Sequence, residues 1–240
     1  LQSKAAHWVF AAALALIAGC VDLVAYFVLY HVFTAHMSGN TVRAAASAEQ
    51  QDWMKAAIHA LPIPLFVIGV MLGVLIGNLS GRIGWSKEYA PTLWLEAALL
   101  IGFVVLSPHV EEAHPVVNGI LAAALATGTL AMGLQNATVR RVSGTSVRTT
   151  YITGMLTDFA EHLMKAILRE GPAEPAMIAG SIWIAYLIGA GAGGILFLRI
   201  GSTAMLLPVA LLAALATFER RFAAKDAPRA RAESTGLQRS

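Results

Sequence analysis

The sequence predicts an all-α protein: a polytopic transmembrane helical bundle of six spans, arranged as a 3+3 inverted repeat. Three observations predict it. Of 240 residues, 57% are hydrophobic and only 13% charged, with a mean hydropathy of +0.66, whereas soluble domains carry about 25% charged residues. Six stretches reach or approach the roughly 20 apolar residues that cross a hydrocarbon core. Lys and Arg collect on alternate connections between them. This composition excludes an ordinary soluble enzyme, a disordered chain and a nucleic-acid-binding module. The net charge of +3 and the pI near 9.2 come from bases that flank apolar runs.

The spans follow in order. Trp8–Tyr30 holds Asp22 and the lone cysteine, Cys20. Ile17-Ala18-Gly19-Cys20 looks like a lipoprotein cleavage box, but the chain stays apolar through Val28, so Cys20 is expected as a buried small residue. Ala56–Leu79 carries Pro62 and Pro64 near its start, where missing donors are tolerated. Pro91–Leu106 is shorter, with Glu96 a turn or so inside it. Val116–Thr138 carries Gln135 and Asn136 near its end, just before Arg140 and Arg141. Ala176–Phe197 and Ser202–Phe218 complete the set. Residues 219–240 mix Arg, Ala, Pro and Ser without apolar periodicity, and a basic disordered tail is expected there. The transmembrane domain is thus residues 1–218, with halves of about 8–107 and 116–218.

Sorting Lys and Arg by side gives 14 on one face and 3 (Arg43, Lys55, Arg199) on the other. That asymmetry places both termini in the cytoplasm and Glu111-Glu112 outside. The two halves repeat one set of signals. Gly19-Cys20-Val21-Asp22 is echoed by Gly133-Leu134-Gln135-Asn136, and His36-Met37-Ser38-Gly39 by Tyr151-Ile152-Thr153-Gly154. Phe66 to Gly69 with Gly73 is echoed by Tyr186 to Gly189 with Gly193, and Leu95 to Leu100 by Leu207 to Leu212. With three spans per copy, the second copy enters the membrane from the opposite side.

Ionisable groups inside a bilayer cost about 2.5–3.5 kcal/mol on insertion scales, so Asp22 needs a partner, a proton or a wet cavity. Glu96 reads equally as a snorkelling interfacial carboxylate or as a functional one. Ser38-Gly39-Asn40 interrupts helical propensity. If it and its counterpart Thr149 to Gly154 fold back into the bundle, broken backbone can coordinate an ion or solute. The alternative is a pair of solvated loops. Gln135 and Asn136 add amides beside Arg140, whose charge serves either an anion or cytoplasmic anchoring. Asp158 and His162 lie one turn apart with Glu161 beside them, which is weak evidence for metal and reads better as a solvated face. Gly69, Gly73 and Gly77, and Gly189 and Gly193, recur every fourth residue, a spacing for close helix packing.

Ala18 to Asp22, Met37 to Val42, Gly133 to Ala137 with Val139-Arg140-Arg141, and Thr149 to Gly154 together resemble the YoaK-like family, bacterial six-span membrane proteins named as a domain of unknown function. The resemblance covers roughly residues 8–218 and implies an inner-membrane location. Its polar positions here are Asp22, Ser38, Asn40, Gln135, Asn136, Arg140, Thr149, Thr153 and Asp158. Cys20 and His36 depart from its pattern.

The leading functional expectation is a secondary transporter or permease for a small polar or ionic solute, with no catalytic residues, metal or cofactor. A phosphate-binding Gly-rich loop is lacking, which argues against an ATP-driven pump. A non-transporting membrane scaffold or sensor is the alternative. An intramembrane serine hydrolase built on Ser38 with His36 or His59 is the least supported reading. Expected partners are the lipid bilayer, an unidentified solute and, because six short spans make a thin bundle, a homodimer.

Overall fold

The computed structural model describes residues 4–82, 89–110, 119–143 and 152–219, and every regular element among them is helical. The helices are α1 (Lys4–Val28), α2 (Met37–Glu49), α3 (Trp53–Ala60), α4 (Pro62–Arg82), α5 (Ala90–Leu106), α6 (Gly119–Ser143), α7 (Ile152–Ile167), α8 (Glu174–Ile200) and α9 (residues 206–219). Glu111, Glu112, Thr149 and the expected tail from 220 onward lie outside the described residues.

Among those residues, five stretches are long and apolar enough to cross a membrane: His7–Val28, Trp53–Ser80, Ala90–His109, Gly119–Arg141 and Glu174–Glu219. The last has 46 residues, about 69 Å of helix, which is too long for one crossing. It contains both stretches expected as the fifth and sixth spans. Gly201, at φ 62° and ψ −145°, ends α8, and a short 3-10 turn over Gly201–Met205 leads into α9. That backbone conformation carries little penalty only for glycine. Glu219, expected to open the polar tail, is still helical, and its Oε1 accepts the Tyr89 N–H at 2.6 Å.

Two tightly packed helix pairs organise the bundle. α1 runs parallel to α8: Trp8 Nε1 donates to Ser181 at 2.7 Å near their starts, and Phe27 stacks on Phe197 near their ends. Between those points glycine lets main chain meet main chain. Gly19 faces the Tyr186 carbonyl, Gly189 the Leu16 carbonyl and Gly193 the Cys20 backbone. α4 runs parallel to α6 in the same manner, with Gly133 against the Phe66 carbonyl, Gly69 against Leu130 and Gly73 against Leu134 and Ala137. Helices surrounded by lipid gain little from burying apolar area against each other, so such close approach supplies the dispersion that holds them.

Helices that cross a membrane in the same direction must be separated by an odd number of crossings. α4, α5 and α6 separate α1 from α8, and α5 separates α4 from α6, so the observed directions agree. α5 and α6, consecutive in the chain, are antiparallel: Glu96 meets Gln135 while Gly102 lies near Thr127. Apolar side chains on the outer face of α4 (Val67, Ile68, Met71, Leu75) and of α8 (Ile184, Leu187, Ile188, Ile195) are exposed, the contact that a bilayer covers. Cys20 is fully buried.

Candidate functional site

The site starts with a chain reversal. Beyond α1 the backbone turns through Tyr30 and His31, both left-handed at φ 52° and 63°, a conformation that costs a non-glycine residue about 1–3 kcal/mol. Arg43 of α2 helps hold the turn. Its guanidinium donates to the His31 carbonyl and to the Tyr26 hydroxyl at 3.1 Å, and it lies over the Tyr26 and Phe33 rings. Asn40 closes the returning segment by donating to the Phe33 carbonyl at 2.6 Å and accepting its N–H at 3.0 Å. A side chain on Gly39 would press on the Phe33 ring.

The returning segment comes back to Asp22, six residues before the end of α1, about 9 Å down the helix. Thr34 Oγ1 and the Ala35 N–H donate to Asp22 Oδ1 at 2.7 and 3.1 Å, and Tyr186 Oη donates to Oδ2 at 2.9 Å. His36 Nδ1 stands 2.9 Å from Oδ2, in ion-pair range though outside hydrogen-bond geometry. Burial pushes the His36 imidazole down, but the Asp22 carboxylate more than offsets this and holds it above the usual histidine value. Asp22 is 3% exposed, and a buried carboxylate demands this density of donors.

The expected interruption at Ser38-Gly39-Asn40 is corrected by the fold. The irregular backbone is residues 29–36, and Met37 to Asn40 form the first turn of α2. Thr153 and Gly154 likewise sit in the first turn of α7. Neither Gly39 nor Gly154 has a positive φ.

Both first turns open on one cavity of about 840 Å³. Its wall includes His36 and Ser38 from the first half of the chain, Thr153 from the second, and Asn78, Asn136 and Arg140 from α4 and α6. It extends along α4 from Phe66 to Asn78, about 18 Å of rise. Ser38 makes no hydrogen bond to His36 or His59 among the described residues.

Other candidates lie elsewhere. Glu96 is fully buried, which corrects the snorkelling alternative; it accepts Gln135 Nε2 at 2.9 Å, and its Oε2 has no hydrogen-bond partner. Gln135 therefore faces α5 while its neighbour Asn136, 6% exposed, lines the cavity. Asp158 lies on the exposed side of α7, and no metal-binding cluster is present among the described residues. Gly77 seats Arg141, which donates to the Gly77 carbonyl at 2.8 Å. Sequence reasoning passed over Thr34, Tyr186 and Arg43, and discounted His36 as a family departure. The only local signal for them is polarity in otherwise apolar surroundings.

A buried carboxylate held by Thr34, Ala35 and Tyr186, set among helices long and apolar enough to cross a bilayer, defines a multi-pass helical membrane protein. The chain belongs to the family described as Protein of unknown function (DUF1275), whose model matches residues 10–218, so the YoaK-like resemblance holds. It is 27% identical over 150 residues to the UPF0700 transmembrane protein YoaK of Bacillus subtilis (strain 168), covering 62% of this chain and 64% of that protein. The match therefore spans less than two thirds of the Bacillus relative. The UPF0700 transmembrane protein RA0705 of Rhizobium meliloti (strain 1021) is 28% identical over 212 residues, covering 87% of this chain and 84% of that one. No solved structure matches.

Proposed function

We propose that this protein is a secondary transporter of a small polar or ionic solute in the bacterial inner membrane, built as a 3+3 inverted repeat with both termini in the cytoplasm. The observation that carries the reading is the cavity on which the first turns of α2 and α7 converge, one from each half of the chain. Half-length helices that begin inside a bundle are the usual solute sites of inverted-repeat carriers.

The repeat draws support from the glycine contacts. Under the sequence correspondence, Leu16, Gly19 and Cys20 match Leu130, Gly133 and Leu134, while Phe66, Gly69 and Gly73 match Tyr186, Gly189 and Gly193. Each of these three glycine contacts between α1 and α8 then has its counterpart between α6 and α4. Two such oppositely oriented units exchange conformations by rocking against each other, which opens a shared site to each face in turn.

The test is solute-dependent access. Cysteines at Ser38 and Thr153, in a Cys20→Ala background in proteoliposomes, should respond to transported solute in opposite senses when labelled with an impermeant thiol reagent. Constant labelling at both positions would describe a static scaffold.

A further inference from the structure

Resting on that reading and deepening it, we infer that the cavity binds the anionic group of its solute, a carboxylate or a phosphate, with Arg140 as the counter-charge. Among the described residues that line the cavity none is acidic. The Asp22 carboxylate, in contact with the cavity-lining His36, is already taken by Thr34, Ala35 and Tyr186.

The two arginines of the wall differ. Arg141 is engaged by the Gly77 carbonyl and the Tyr89 ring. Arg140 is exposed, and no hydrogen bond or ion pair among the described residues engages its guanidinium. Asn78 and Asn136 share its end of the cavity. A guanidinium matches a carboxylate or phosphate through paired N–H donors.

The helix starts add to this field. α2, with 13 residues, has no acidic residue in its first turn and no side-chain cap, and α7, with 16, has no acidic first-turn residue. Their positive dipole ends, and at α2 the N–H groups left without a side-chain cap, favour the same sign of ligand. An arginine that no described residue engages, neutral amides and the uncapped start of α2 leave the cavity positive, so a cation is repelled and a neutral solute gains nothing from the charge.

The same anionic group could arrive on a free solute or on a lipid headgroup, and the experiment separates the two. The full chain is placed in phosphatidylcholine nanodiscs and titrated with sodium phosphate and sodium acetate, with tetramethylammonium chloride and glycerol as controls. Phosphate or acetate should bind and the controls should not. Arg140→Gln should weaken that binding about ten- to a hundredfold, as expected for loss of a charge-assisted bond, with Arg140→Lys between. Equal affinity in Arg140→Gln, preference for tetramethylammonium, or binding only of added phosphatidylglycerol would overturn the inference. Anion binding without flux in proteoliposomes would sustain this site and sink the transport reading. Flux of a cation or neutral solute without anion binding would do the reverse.

Discussion

Tyr186 donates its hydroxyl to Asp22 at 2.9 Å while its own main-chain carbonyl lies against Gly19, one helical turn earlier on α1. One residue of α8 thus satisfies the buried carboxylate and occupies the notch that a glycine leaves open for it. The depth of the notch sets the reach of the hydroxyl, so packing and polar satisfaction are one arrangement.

Tyr186→Phe keeps the ring and removes that donor. A hydrogen bond to a charged group contributes about 1.5–3 kcal/mol, and the variant should lose stability of that order. Denaturant or thermal unfolding of the purified protein in neutral detergent reads it. An unchanged midpoint would mean that Thr34 and Ala35 alone satisfy Asp22.

Stability should also follow the charge on His36. Its value is raised in the folded protein by Asp22, so its stabilising contribution is complete below the ordinary histidine value and is lost as pH rises through the raised one. Melting in detergent should therefore fall with pH above about 6.5. His36→Asn should flatten that part of the profile. A slope that persists in the variant would assign the dependence to another group.

Two glycines of α8 separate contact from propensity. A side chain on Gly189 would run into the Leu16 carbonyl, whereas one on Gly191 meets nothing within 4 Å. Gly189→Ala should cost at least the upper part of the roughly 1–3 kcal/mol typical of overpacking. Gly191→Ala should be neutral, or stabilising by up to about 1 kcal/mol through helix propensity. The same unfolding assay compares them, and similar losses in both would deny that α1 and α8 touch through Gly189.

Glu96 and Gln135 form a pair suited to a double-mutant cycle. Glu96→Met alone leaves the buried Gln135 amide without this acceptor. The double variant with Gln135→Met should lose less than the sum of the single losses, with a coupling of about 0.5–3 kcal/mol. Additive losses would show the contact to be energetically idle.

Much of this architecture was legible because it is written in short periods. Apolar runs mark the spans, and the fourfold spacing of Gly69, Gly73, Gly189 and Gly193 marks faces that now meet main chain on α6 and α1. The start of α2 was not legible, for a physical reason: Ser, Gly and Asn favour turns and helix starts alike, so the pattern could not say on which side of Met37 the helix lay. Glu96 read equally as interfacial or functional because its hydrogen-bond partner, Gln135, arrives from α6. Asp22 announced its need for a partner but not the partner, since Tyr186 is 164 residues away and no local rule connects them.

That distance bears on how the protein is made. At about 5–20 residues per second, the ribosome adds 164 residues in roughly ten to thirty seconds. Throughout that interval α1 has emerged and α8 has not, so the groove of Leu16, Gly19 and Cys20 has no helix to receive and Asp22 lacks its tyrosine. The α1–α8 interface is a late event in biogenesis. A chain stalled or truncated before α8 lacks the Tyr186 donor to Asp22 and leaves the glycine face of α1 without its partner helix.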